Sequence, residues 1–170
     1  KRWPKNVNFA EFKEACEVFV GYHDFSNFCR VDPDRSPTRS IESCQPWINA
    51  DNQVIGFSVV AESFLWNQIR RIASALQQFA NNDIQLTDIK QALENPKQAS
   101  DLGLASADGL LLWEINHPDF SYKFQNSIID HDMSRPPEGK RSHKQWLNLA
   151  RMENSSMLER EWLALIQDVR

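Results

Sequence analysis

The residues with the most to offer chemically are arginines. Arg70 and Arg71 sit side by side in Phe64-Leu65-Trp66-Asn67-Gln68-Ile69-Arg70-Arg71-Ile72. Arg30, Arg35 and Arg39 stud a segment that also carries Asp32, Pro33, Asp34 and Pro37. A guanidinium is a rigid cationic fork, suited to a carboxylate or a phosphate. Leu65, Ile69, Ile72, Leu76 and Phe79 recur at steps of four, three, four and three, which is the spacing of one buried helical face. Arg70 lies about 100° round from Ile69, at the flank of that stripe. An unpaired charge at the edge of a core is costly. Arg70 therefore needs either a structural Asp or Glu, or a ligand reached across a cleft. The three loop arginines could grip phosphates, but with Asp32 and Asp34 interleaved a plain solvated loop reads as well.

Other chemistry is sparse. The chain has no GxSxG, P-loop or HExxH motif. His23, His117, His131 and His143 are scattered, and no motif supports Cys29 with His23 as a nucleophile pair. Cys16, Cys29 and Cys44 are odd in number, form no CxxC and match no common zinc-finger spacing, so no metal site is expected. Free thiols point to a reducing compartment, and the expected location is cytoplasmic.

The bulk numbers bound the rest. The chain has 170 residues, 41% hydrophobic and 25% charged, which fits one globular domain with a small appendage. Net charge is −4, so a polyanion partner would need a local basic patch. No apolar run approaches the roughly 20 residues of a membrane span, and no signal peptide is visible. The chain opens Lys1-Arg2-Trp3-Pro4 without an initiator Met and reads as a piece of a longer protein.

Several elements must hold these side chains. Asn8, with Glu11 three residues on, predicts a capping box for a helix through Phe9, Phe12, Cys16, Phe19 and Val20, stopped by Gly21. Tyr22 to Arg30 reads as a turn built on Asp24, Ser26 and Asn27 and pinned by Phe25 and Phe28. A loop over 31–38 leads to a hairpin of strands 39–47 and 54–61 with a turn at 49–52. Ser63 is the expected N-cap of a helix over 64–80, and Thr87 of a shorter one ending at Asn95-Pro96. The apolar run 110–115 predicts a buried strand. Residues 116–142 read as an irregular arm, followed by two helices broken at Asn154-Ser155-Ser156. Lys140, Arg141, His143 and Lys144 form the densest basic cluster. These residues alone predict an α+β domain that binds an anion.

A resemblance adds to this. His23-Asp24-Phe25-Ser26 with Phe28, then Arg39-Ser40-Ile41, then Phe64 to Ile72, then Ala107-Asp108-Gly109-Leu110-Leu111-Leu112 resemble, in order and approximate spacing, the C-terminal half of the TruA-type tRNA pseudouridine synthases. The resemblance covers about residues 8–118. Each motif is weak alone; the ordered series is specific.

What the resemblance implies is concrete. The fold would be α+β, a mostly antiparallel sheet with helices packed on one face (half of a pseudouridine synthase fold), plus a C-terminal helical extension. Residues 1–118 would be the C-terminal domain of the catalytic region and 119–170 an extension. The activity would be isomerisation of uridine to pseudouridine in the anticodon stem-loop of tRNA, with no metal or organic cofactor. A catalytic Asp acts on a flipped-out uridine, and Arg70 matches the family arginine that pairs with it. Arg39, Arg30, Arg35, His23, Phe64 and Leu110 would face substrate RNA. The family's Arg-Thr-Asp-Gly-Val-like motif and its active-site tyrosine belong to the N-terminal half and are not found here. Arg30-Val31-Asp32-Pro33 holds an Arg-x-Asp, but Pro follows and it comes after the His-Asp-Phe motif, so Asp32 is rejected as nucleophile. Ser74 and Ser106 stand where Gly and Pro are common.

The expected partners are tRNA and the missing N-terminal half, with no membrane. Residues 123–170 could pack on the sheet, extend the RNA surface or form a homodimer contact. The isolated chain is expected to be inactive. The alternatives are a non-catalytic RNA-binding module derived from such an enzyme, and a structural domain with no RNA role.

Overall fold

The computed structural model describes residues 7–48, 52–113, 115 and 140–168. The chain divides into two compact units, Lys1–Ala105 and Ser106–Arg170. The first runs α1 (Phe9–Glu17), β1 (Gly21–Asp24), a 3-10 turn (Ser26–Phe28), β2 (Thr38–Ile48), β3 (Val54–Ala61), α2 (Gln68–Ala80) and α3 (Leu86–Glu94). The strands form one antiparallel sheet in the order β1-β2-β3. The α+β class with an antiparallel sheet is as the sequence predicts.

At the start of α1, Asn8 Oδ1 accepts the N–H groups of Ala10 at 3.0 Å and Glu11 at 3.4 Å. Glu11 closes the box by accepting the Asn8 side-chain amide at 2.9 Å, in place of the expected backbone N–H. The helix stops at Glu17, before Gly21, whose φ of +105° turns the chain into β1.

Tyr22 to Asp24, read from sequence as a turn, is a strand. Gly21 lies opposite Ile41 and Asp24 opposite Thr38. Four residues carry too little pattern to announce a strand; pairing with β2 imposes it. The predicted turn begins at Asp24, whose Oδ1 accepts the Ser26 N–H at 2.9 Å, and Phe25 and Phe28 are both buried beneath it.

β2 and β3 form the predicted hairpin. Their register slips between Ile41 and Ser43, where Glu42 is bulged out. Ile41 and Cys44, three apart, therefore share one face and are both buried. That face joins Phe12, Ala15 and Cys16 of α1, Ile72 and Leu76 of α2, and Ile89 and Leu93 of α3 in one core. Cys16 and Cys44 meet there; the hydrogen bond between the thiols and their burial push the Cys16 pKa far up.

Asn27 is a polar post in this core. Its amide donates to the carbonyls of Ala92 at 2.9 Å, Gln98 at 3.0 Å and Asn95 at 3.2 Å, and its Oδ1 accepts the Ser100 N–H at 3.0 Å. One side chain thus satisfies carbonyls freed at the end of α3 and ties down the segment that follows.

Two boundaries differ from expectation. α2 begins at Gln68, with Asn67 as N-cap, so Ser63 caps nothing and residues 64–67 are not helical. The N–H of Leu65 donates to Gln68 Oε1 at 2.8 Å and folds that entry back on the helix. The face α2 buries is Gln68, Ile72, Ala75 and Leu76, with Phe79 packed beside them. α3 is capped by Gln85, with Asp88 accepting the Gln85 N–H at 2.7 Å; Thr87 falls in the first turn.

In the second unit, the predicted strand over 110–115 is absent from the described residues. Leu110, Leu112 and Ile115 are exposed. An apolar run becomes a strand only when a neighbour pairs with its backbone. The two predicted C-terminal helices are one, α4 (Lys140–Asp168), which includes residues 140–142 of the expected arm. Asn154, Ser155 and Ser156 each cost a helix interior no more than about 0.7 kcal/mol relative to Ala, and with no Gly or Pro among them the helix runs through. The turn at 49–51 and the arm over 116–139 lie outside the described residues. Among the described residues no helix is long and apolar enough to cross a membrane.

Candidate functional site

Asn67 opens α2 in the left-handed region, at φ +64°, a conformation Asn tolerates better than most residues. Its Oδ1 accepts from Arg70 Nη1 at 3.3 Å. Arg70 Nε donates to the Ala105 carbonyl at 2.8 Å, and the Ala105 N–H donates back to the Arg70 carbonyl at 3.0 Å. The guanidinium is thus held along two of its edges by neutral acceptors.

Residues 101–105 run as a strap beside α2. Asp101 pairs with Arg71 Nη1 at 2.9 Å, and the Leu102 carbonyl accepts from the Gln78 amide. Gly103 adopts φ +83°, and a Cβ there would stand 2.7 Å from Ser74 Oγ. The Gly103 N–H, and then Arg71, hold the Asp101 carboxyl below the usual carboxylate range. The pair of arginines is therefore split. Arg71 has a carboxylate partner; Arg70, among the described residues, has none within 4 Å.

The other arginines gather elsewhere in the first unit. Arg30, Arg35, Arg39, Phe64 and Trp66 line a recess of about 260 Å³, with Cys29 in its wall. The Arg30 guanidinium lies over the Trp66 ring, 3.9 Å from its centroid, and the Arg30 N–H donates to the Trp66 carbonyl at 2.8 Å. Arg39 Nη1 donates to the carbonyls of Thr38 at 2.7 Å and Ser36 at 3.2 Å. Arg39 Nε is buried and has no acceptor among the described residues. Arg35 pairs at 3.7 Å with Asp32, which also lines the recess, and both side chains are exposed. Burial pushes the Cys29 thiol up, opposed by the charges of Arg71 and Arg39.

Of the predicted site residues, the recess unites Arg30, Arg35, Arg39 and Phe64. Arg70 and His23 are not in its lining. His23 stands directly opposite Arg39 in the sheet, its Nε2 2.9 Å from the Val20 carbonyl and its ring edge against Phe25. Leu110 belongs to the second unit, where its N–H donates to the Ala107 carbonyl at 3.0 Å. Trp66 escaped the sequence reading because it was placed on a helix, and Ala105 because a backbone carbonyl leaves no trace in residue type.

In the second unit, Asp108 accepts from Ser106 Oγ and from both Nε and Nη2 of Arg151 on α4. Those donors, Ser106 first, hold the Asp108 carboxyl low. His143 stacks on Trp146 one turn along α4. Among the described residues no group of three or more His, Cys, Asp or Glu side chains is placed to hold a metal ion.

A family model described as tRNA pseudouridine synthase matches residues 15–118. The protein named tRNA pseudouridine synthase A of Methanoculleus marisnigri is 35% identical over 126 residues, covering 74% of this chain and 44% of its own length. Its namesake in Pyrococcus furiosus is 33% identical over 124 residues, covering 72% and 46%. That of Methanosphaera stadtmanae is 30% identical over 122 residues, covering 70% and 43%. The chain thus spans less than half the length of these curated relatives.

Proposed function

Since the chain belongs to the TruA-type tRNA pseudouridine synthase family, we propose that it forms the C-terminal part of an enzyme that isomerises uridine to pseudouridine in the anticodon stem-loop of tRNA. Arg70 is its contribution to the reacting centre. The nucleophilic Asp comes from outside these 170 residues, and the isolated chain is inactive. In the assembled cleft the Asp carboxylate meets the free edge of Arg70, which lowers its pKa and fixes its orientation. The uridine is flipped out of the RNA to reach it. The glycosidic bond from the sugar to N1 breaks, the base turns, and a bond to C5 forms; N1 gains a proton and C5 gives one up. The balance is an isomerisation and consumes no oxidant or reductant. Its place of work is the cytoplasm, beside its tRNA substrate.

One observation supports this most directly. Arg70 is oriented by two neutral acceptors yet has no carboxylate among the described residues, whereas Arg71 next to it is neutralised by Asp101. A guanidinium on the flank of a packed helix without an acid nearby is poised for one brought by another segment. The test is conversion of uridine in unmodified tRNA by the full-length protein and its Arg70→Ala variant. Near-normal turnover by the variant would remove Arg70 from the reacting centre.

A further inference from the structure

We propose that the recess between Arg30, Arg39 and Trp66 is a nucleotide subsite. It takes a backbone phosphate of the RNA strand between the two guanidinium groups and stacks the attached base on the exposed rings of Trp66 and Phe64. This nucleotide is not the one isomerised. The inference rests on the reading of the chain as part of an RNA-modifying enzyme, and it adds a second point of hold on that RNA.

Size, charge and surface each argue for it. At about 260 Å³ the recess is smaller than the 300–1,000 Å³ of typical small-molecule sites, so it suits a phosphate group rather than a whole buried ligand. Three guanidinium groups face one carboxylate, Asp32, which pairs with Arg35. Among the described residues neither Arg30 nor Arg39 has a carboxylate within 4 Å. Arg39 is anchored by the Ser36 and Thr38 carbonyls, so its charge is positioned without being neutralised.

Beside this charge, Trp66 is 61% exposed and Phe64 40%. Exposed aromatic rings next to unpaired guanidinium groups are the combination that binds single-stranded nucleic acid, bases stacking while cations hold the backbone. Arg30 over Trp66 also stiffens the platform. Trp66 and Arg70 are four residues apart, so their Cα atoms are within about 14 Å. One strand can therefore reach both. Because the contacts are to phosphate and to the flat faces of bases, the subsite orients RNA without reading its sequence.

The test uses the full-length protein and an unmodified tRNA transcript, with the dissociation constant measured over a salt series. Arg30→Gln and Arg39→Gln should each weaken binding about tenfold at low salt and flatten the salt slope by roughly 0.7–0.9, the loss of one phosphate contact. Trp66→Ala should weaken binding and leave the slope unchanged. Arg30→Lys and Arg39→Lys should keep the slope, which a purely structural role would not produce. Unchanged slopes and affinities in the Gln variants overturn the subsite; so does loss of the slope in correctly folded Lys variants. Displacement of tRNA by millimolar inorganic phosphate at constant ionic strength, beyond that by chloride, would mark a free-phosphate site and overturn the RNA assignment. If Arg70→Ala abolishes turnover while the Gln variants bind normally, the subsite falls and the enzyme reading stands. If the Gln variants flatten the slope in a protein that modifies no uridine, the subsite stands and the enzyme reading falls.

Discussion

Arg70 and Ala105 are joined twice: the Ala105 N–H donates to the Arg70 carbonyl at 3.0 Å, and Arg70 Nε donates to the Ala105 carbonyl at 2.8 Å. The backbone of the strap thus fixes both the position of the arginine's Cα and the direction of its side chain. Asn67 holds a further edge of the fork, leaving the rest of it to meet an incoming anion.

Arg70→Ala is expected to lower kcat by about 10²–10³-fold, the cost of removing one preorganised donor from a reacting centre. Arg70→Lys should recover little of it. A single ammonium cannot satisfy Ala105 and Asn67 together and still present an edge. Both variants should bind tRNA within about twofold of the parent. A Lys variant with full turnover would show that charge alone suffices.

Gly103→Ala tests the strap. The added Cβ would lie 2.7 Å from Ser74 Oγ at a backbone φ of +83°, so both crowding and the left-handed conformation oppose it. The expected loss is about 2 kcal/mol in urea unfolding, with a larger fall in kcat than in tRNA affinity as Arg70 shifts. In a Ser74→Ala background the crowding disappears and about half of the loss should return; a strictly additive double mutant would contradict the contact.

Asn27→Ala should destabilise the first unit by about 2–3 kcal/mol, because carbonyls at the end of α3 and the Ser100 N–H lose their partner in a buried place. Asn27→Asp should be at least as harmful, since it turns a donor toward three carbonyls into a second acceptor. Chemical denaturation with matched m-values reads both.

The Asp101 carboxyl is depressed in the folded chain by the Gly103 N–H and Arg71. A depressed acid contributes stability that is complete above its unfolded value, about pH 3.9, and is lost as pH falls through the lower folded value. Asp101 is largely exposed, so solvent screening keeps the effect small. Melting curves between pH 6 and pH 2.5 should therefore converge for the parent and Asp101→Asn at the acid end and separate, slightly, above about pH 4. A gap that widens toward low pH would reverse the assignment.

Local signals carried much of the fold. Asn8 with Glu11 announced α1, and the apolar strands around a polar turn announced the hairpin, because capping and alternation are written in adjacent residues. What escaped depended on distant partners. β1 exists by pairing with β2, and the run 110–115 forms no strand among the described residues. The start of α2 at Gln68 rather than Phe64 turned on a buried glutamine that no hydrophobic pattern marks. At the site, Arg70 stood out by its place in an ordered motif series. The meeting of Arg30 and Arg39 with Trp66 needed the loop after β1 to fold against residues 64–66, a contact with no one-dimensional signature.

The bulge at Glu42 has a consequence for how β2 can change. Odd-numbered Arg39 and Ile41 precede it, and even-numbered Cys44 follows it on the same face of the strand. The strand is thus two half-strands in opposite phase, joined by one spare residue. Deleting Glu42 would remove the spare residue, place Ile41 and Cys44 two steps apart in a single phase and keep Cys44 on the buried face, while Arg39 kept its register with His23. The arginine end and the core end of β2 are therefore separate frames, and substitutions accepted in one do not constrain the other.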